Sequence, residues 1–235
     1  MLHIQNRELV VPGQLIAEGG YFIREGAFRE GDRIYASIVG LADLRGQNIR
    51  IIPLQGRYIP KRGDAVIGVV IDVHRSGWIL DLNSPYVGNL FVSDLLQRKV
   101  DLLMEDISQY LSMGDVVMAN VKDVNELMRV QLEAGEAGMG KVTGGKLMEL
   151  TPTKIPRVIG RKGSMIAAMQ NASGCQIKVG QNGRVMIWGD DPRMVNAVVE
   201  ALLMIEREAH TSGLTDRVRL MLENIIEKIK LEGGT

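Results

Sequence analysis

The sequence is poor in features that mark whole classes of protein. Its one cysteine, Cys175, excludes an internal disulfide and a zinc site built on paired cysteines. Aromatic residues make up 4% of the chain, too few for stacking on planar ligands to dominate binding. No run of about 18 apolar residues occurs, so no segment is expected to span a membrane. The first residues lack the apolar core of a signal peptide, and we therefore expect a cytoplasmic protein.

Motifs of catalysis are also missing. The chain contains no Walker loop, no nucleophile elbow and no pair of carboxylates at metal-ligand spacing. We therefore predict a protein that is not an enzyme and that needs no cofactor and no metal. Asp81, Asp94 and Asp101 are the one group that keeps an alternative open, namely a nuclease that processes RNA.

Residues 155–179 contain the pattern on which the functional prediction depends. Gly160-Arg161-Lys162-Gly163 follows an apolar segment and precedes a helical pattern in which Met165, Ile166 and Met169 share one face. Glycines allow a close approach of the backbone, and the free N–H groups at a helix N-terminus favour a phosphate. Together with the later Gly174-x-x-Ile177 segment, the pattern resembles the KH domain, which clamps about four single-stranded nucleotides.

The charges are unevenly distributed along a chain whose net charge is zero. Residues 141–189 hold eight basic residues and one acidic residue, and this excess supports binding to nucleic acid. The residues that we expect to contact RNA in this region are Lys154, Arg157, Ile159, Gly160, Arg161, Lys162, Gly163, Lys178 and Arg184.

Two regions of short strand-like runs precede the KH-like region. Residues 1–60 predict a small β domain, with runs at 9–11, 21–24, 33–39 and 48–53 separated by glycine and proline turns. Residues 61–135 contain five runs, at 65–73, 77–82, 86–92, 115–124 and 127–132, with a partly helical stretch at 95–111. Five strands with a helical insertion after the third are typical of an OB-fold barrel.

Local motifs indicate the S1 subtype of RNA-binding OB fold. Gly88-x-Leu90-Phe91-Val92-Ser93-Asp94 resembles the third strand of that subtype. Trp78 lies one position away from the register of the usual stacking aromatics, so it either packs in the core or stacks on RNA. His74 and Arg75, in the turn before Gly77, are candidate RNA contacts.

The complete prediction is a multidomain α+β protein. A glycine-rich linker at 136–145 is expected to let the domains pivot, and a type I-like KH domain with an extra C-terminal helix occupies 146–235. The apolar stripe of that last helix is expected to pack on the KH core.

The order of these parts resembles the S1/KH-type RNA-binding cap subunits of the archaeal exosome, the Rrp4 family. The stretches LVVPG at 9–13 and PLQGRYIPKRGD at 53–64 carry the same resemblance. In that family three caps sit on a hexameric ring of RNase PH-type subunits, and the ring degrades or tails RNA. The resemblance implies that the N-terminal domain docks on the ring, that the S1 domain lines the pore, and that the KH domain lies outside.

Two alternatives remain open at this stage. One is a stand-alone RNA chaperone or regulator that binds single-stranded RNA without a ring, and the other is the nuclease that the three aspartates suggest.

Overall fold

The computed structural model describes residues 1–54, 56–98, 106–209, 211 and 213–232. The chain divides into two compact units, Met1–Gly56 and Arg57–Thr235. Within the part of the chain that the structure describes, no helix combines the length and the hydropathy needed to cross a membrane.

The first unit is built from short strands in two sheets around one apolar core. One sheet has the order β1-β6-β7-β3 and the other the order β2-β5-β4. The runs predicted from the sequence correspond to β1, β3, β5 and β7, whereas β2, β4 and β6 were missed. The strands are β1 (Leu9–Val10), β2 (Leu15–Glu18), β3 (Phe22–Ile23), β4 (Ala27–Glu30), β5 (Arg33–Ala36), β6 (Gly40–Arg45) and β7 (Asn48–Pro53).

The second unit begins with a closed five-stranded barrel, as predicted. Its strands are β8 (Ala65–His74), β9 (Gly77–Asp81), β10 (Val87–Phe91), β11 (Val116–Val124) and β12 (Val130–Glu133). Antiparallel pairing joins β10, β9, β8, β11 and β12 in that order, and the parallel pair β10–β12 closes the barrel. Each strand begins and ends within three residues of its predicted bounds.

Trp78 belongs to the barrel core. Its side chain is 0% exposed, and its Nε1 donates a hydrogen bond of 3.0 Å to the carbonyl oxygen of Leu111. The structure thereby decides between the two interpretations of Trp78 in favour of packing. The helical stretch predicted at 95–111 is represented by α1 (Val92–Leu96) and a short 3-10 turn at Ile107–Gln109, while 99–105 lie outside the described residues.

The remainder of the second unit has the KH architecture. Its sheet has the order β14-β16-β15, with Ile177, Val185 and Ile187 packed against the helices, as expected from strand alternation. Leu214, Val218, Leu222 and Ile226 of the last helix join the same core. The elements are β14 (Lys146–Glu149), α2 (Ile155–Ile159), α3 (Ser164–Ser173), β15 (Gln176–Val179), β16 (Arg184–Trp188), α4 (Pro192–Glu208) and α5 (Leu214–Glu232).

The other face of the KH sheet is covered by the S1 barrel. Met186 on this face packs with Ile67 and Met118 of β8 and β11 in an apolar cluster of its own. The segment predicted to be a pivoting linker contains a further strand, β13 (Gly140–Val142), which pairs with β11. Because strand pairing and apolar burial both cross this boundary, the segment does not serve as a free hinge.

The turn between β15 and β16 is fastened to the barrel by one side chain. Asn182 is 0% exposed, and its Nδ2 donates to the carbonyl oxygens of Ile67 at 2.8 Å and Leu82 at 3.0 Å. Its Oδ1 accepts a bond of 3.2 Å from the backbone N–H of Ile67. Gly180 has to be glycine, because a Cβ there would lie 2.4 Å from Oδ1 of Asn182. The amide therefore satisfies three barrel backbone groups that are shielded from water.

Replacing Asn182 with alanine should destabilise the second unit. Three buried backbone groups lose their partner, and we expect the free energy of unfolding to fall by roughly 2–4 kcal/mol. The neighbouring exposed Gln181 supplies the control, and Gln181→Ala should change stability by no more than about 0.5 kcal/mol. Urea denaturation of the full chain measures both, and equal losses in the two variants would contradict this role of Asn182.

Candidate nucleic-acid interface

The Gly-x-x-Gly loop adopts a backbone that depends on its glycines. Gly160 and Gly163 have φ angles of 75° and 79°, in the left-handed region that glycine tolerates best. A Cβ on Gly160 would lie 2.7 Å from the backbone nitrogen of Met165, so a side chain there would collide with the first turn of α3. Lys162, between them, has a φ of 53°. The loop thus turns sharply enough to bring its backbone against the start of α3.

The loop presents positive charge beside the N-terminus of a helix. Arg161 and Lys162 are exposed, and no residue of the described ranges forms an ion pair with either. Gly163 occupies the N-cap of α3 without a side-chain cap, so its first-turn N–H groups and the helix dipole face the loop. Two cations beside such a helix end form a favourable position for a phosphate.

Three further predicted residues lie on the segment that leads into this loop. Arg157 is exposed on α2, and Lys154 lies half-buried just before this helix, three positions earlier. Residues three apart on a helix lie on one side of it, so these cations extend the positive segment. Ile159, the last residue of α2, packs partly against the KH core.

Two predicted contacts lie on the wrong face of the KH sheet, and the prediction for them needs correction. Arg184 is 5% exposed and pairs with Asp81 of β9, while its Nε donates to Glu149 at 2.9 Å. Lys178 donates from Nζ to the carbonyl oxygen of Gly138 at 2.7 Å. Strand alternation places both on the side that meets the barrel, opposite to the helices and their loop. Arg184 in particular is enclosed and already paired.

The two predicted residues on the barrel lie at its surface. His74 and Phe91 pack edge to face with ring centroids 6.1 Å apart, and Ser76 donates its backbone N–H to Nδ1 of His74 at 3.3 Å. Arg75 is exposed in the turn between β8 and β9. The structure therefore brings His74 beside a partly exposed aromatic ring, which can stack on a nucleobase.

A cleft next to Phe91 contains residues that the sequence analysis missed. It has a volume of about 410 Å³ and is lined by Asn89, Phe91, Asp123, Asn125, Arg129, Val130 and Gln131. The alternation of β10 and β12 places Asn89 and Gln131 on the outer face, and this was the available signal. Arg129 follows a turn between two strands, where an exposed cation was visible in the sequence.

The carboxylates of the nuclease alternative are engaged in separate ion pairs. Asp81 pairs with Arg184, as described above, whereas Asp94 accepts from Nζ of Lys122 at 2.6 Å. The hydrogen bond with Asp94 raises the pKa of Lys122, as expected for a cation held by a carboxylate. Asp101 lies outside the described residues. Among those that are described, no three His, Cys, Asp or Glu side chains come together as a metal site would require.

Comparison with known families assigns each region of the chain to a family model. Residues 7–55 match the model described as exosome RNA binding protein RRP4 N-terminal domain, and residues 57–123 match the model of the RRP4 S1 domain. Residues 146–205 match the KH domain.

Similar proteins cover nearly the whole chain. The exosome complex component Rrp4 of Pyrococcus horikoshii is 42% identical over 99% of this chain and 88% of its own length. The Rrp4 of Methanothermus fervidus is 44% identical over 97% of this chain and 100% of its own length. A crystal structure of a protein assigned as an exosome complex RNA-binding protein shares 35% identity over 74% of this chain and 99% of its own, with a TM-score of 0.69.

Reversing the charge of the loop should weaken RNA binding without unfolding the domain. The double variant Arg161→Asp and Lys162→Asp places two anions beside the helix N-terminus, and affinity for a short poly-adenylate should fall about tenfold or more. The melting temperature should not change, since both side chains are exposed. Fluorescence anisotropy with the isolated chain measures the affinity.

The matched control reverses two exposed cations elsewhere on the same domain. Arg207→Asp and Lys228→Asp, on α4 and α5, change the net charge by the same amount. Equal losses of affinity in both double variants would mean that net charge, and not the loop, governs binding.

Proposed function

The chain belongs to the Rrp4 family of exosome components, and we propose that it is a non-catalytic cap subunit that binds single-stranded RNA. It delivers the RNA to a ring of RNase PH-type subunits for degradation from the 3′ end or for tailing. The archaeal exosome of this proposal carries three such caps on a hexameric ring in the cytoplasm.

One observation carries the RNA-binding part of this proposal. The exposed pair Arg161 and Lys162 lies on a glycine loop whose backbone leads directly into α3. A loop of this geometry holds a phosphate through backbone N–H groups and charge, which requires no particular base. Such a contact suits a protein that has to feed RNAs of many sequences into one channel.

The barrel supplies a second contact in the same proposal. Arg75, His74 and Phe91 lie at its surface beside the cleft that contains Arg129. Because the barrel and the KH domain share one compact unit, a strand that leaves the loop meets a barrel surface whose position is fixed.

The N-terminal unit is proposed to dock on the ring. Leu9, Val11, Phe22, Phe28 and Val39 are large apolar side chains that this small unit leaves exposed. Exposed apolar side chains in such number are typical of a surface that another protein covers. The alternative of a stand-alone RNA chaperone assigns no partner to these side chains.

Salt dependence tests the phosphate contacts. Each phosphate contact with single-stranded RNA contributes about 0.7 to the slope of log affinity against log salt concentration. We expect a clearly negative slope for a short poly-adenylate, and we expect Arg161→Asp with Lys162→Asp to reduce its magnitude. A slope near zero would rule out the phosphate clamp.

Deleting the N-terminal unit tests the docking. The cut belongs after Gly56, because Tyr58 is buried in the barrel core and bonds Oδ2 of Asp64 at 2.7 Å. The shortened chain should bind RNA with the affinity of the full chain and should no longer be retained on immobilised ring. Retention of the shortened chain would contradict the assignment, and failure of the full chain to retrieve ring subunits from extract would favour the chaperone.

A further inference from the structure

The cleft on the barrel contains polar side chains in a defined row. Asn89 of β10 is the register partner of Gln131 of β12, and Gln131 is in turn the register partner of Asp123 of β11. Register partners on neighbouring strands lie side by side on one face, with strands about 4.8 Å apart. All three side chains line the cleft, so their polar ends share one small volume.

The orientation of the Gln131 amide is dictated by a carboxylate. Its Nε2 donates to Oδ2 of the buried Asp94 at 2.8 Å, while Nζ of Lys122 donates to Oδ1 of the same carboxylate at 2.6 Å. An ionised carboxylate only accepts hydrogen bonds, so the amide must turn its NH2 group towards Asp94. The Oε1 of Gln131 is therefore the end left for the cleft, and no donor for it occurs among the described residues.

The Asn89 amide is oriented in the same way by a different acceptor. Its Nδ2 donates to the carbonyl oxygen of Val130 at 3.3 Å, and a carbonyl likewise only accepts. The Oδ1 of Asn89 is the remaining group. Together with the exposed carboxylate of Asp123, the row therefore presents acceptors only.

Donors lie at the rim of the same cleft. Asn125 accepts from the backbone N–H of Arg129 at 2.9 Å through its Oδ1, which leaves its NH2 group free to donate. The guanidinium of Arg129 is exposed and adds further donors. Phe91 and the buried Val130 supply apolar surface against which a planar ring can lie.

We propose that this cleft selects nucleobases that carry an exocyclic amino group, and that Asn89 and Gln131 determine the selection. One amino group has two N–H donors and can satisfy both amide oxygens at once. Cytosine offers such a group at position 4, whereas uracil has a carbonyl oxygen there, which would face two acceptors. Uracil would leave these oxygens unpaired in the cleft. The inference rests on the proposed RNA binding and adds a base preference to it.

The test compares two pyrimidine oligomers on the full chain. Decamers of oligo(C) and oligo(U) differ at the edge that the row would contact, and two lost hydrogen bonds should make oligo(C) bind roughly tenfold more tightly. In the double variant Asn89→Leu and Gln131→Met the side chains keep nearly their size but lose both acceptors. The preference should then fall to within about twofold, mainly through weaker binding of oligo(C).

The control exchanges the same residue types at exposed positions away from the cleft. Asn224→Leu and Gln109→Met should leave the preference unchanged. Melting temperatures check the fold, and Asn89→Leu alone carries the test if loss of the Gln131 bond to Asp94 unfolds the double variant, because Asn89 contacts no charged group.

The outcomes separate the inference from the proposed function. Equal binding of both oligomers by the unmodified chain, or a preference that survives in the variant, would overturn the selection and leave RNA binding in place. An equal loss of both oligomers in the variant would mean a contact without selectivity and would also overturn it. If neither oligomer binds the unmodified chain, the proposed function and the inference both fall.

Discussion

The burial of Asn182 and Arg184 between the barrel and the KH sheet is the contact on which the second unit depends. Asn182 satisfies three backbone groups of the barrel, and Arg184 is held between Asp81 and Glu149. A buried guanidinium is costly to desolvate unless it is paired on all sides, so this contact tolerates few alternative arrangements. Its second effect is to cover a sheet face that an isolated KH domain would leave to solvent. The barrel and the KH domain consequently behave as one body.

A shared body changes how two weak RNA contacts combine. The loop around Arg161 and the cleft around Gln131 belong to the same compact unit, so binding at one holds the strand near the other at a high effective concentration. The two contacts also differ in chemistry. Charge and backbone N–H groups at the loop suit any phosphate, whereas the oriented amides of the cleft suit particular base edges. Affinity and base preference can therefore reside in different domains of one chain.

Prediction from sequence succeeded where local patterns were strong. The barrel strands alternate over five or more residues in most cases, and all five were predicted with the correct order. The N-terminal unit was harder, because Leu15–Glu18 and Ala27–Glu30 are four-residue strands. The first has two adjacent buried residues and the second none, so neither shows the alternation that identifies a half-buried strand. Trp78 remained ambiguous for a related reason, since alternation defines two faces of a strand without telling which is covered.

The sequence by itself determined the Gly-x-x-Gly loop and its cations, because glycine torsions and helix capping are settled within a few neighbouring residues. It also determined the family, through patterns spread along the whole chain. Only the tertiary structure decided the role of Arg184, whose partner Asp81 is 103 residues away. The same holds for the cleft, where an aspartate 37 residues distant orients the amide of Gln131. Long-range contacts decide which face of a strand is covered and which end of an amide is free, and no local pattern encodes either.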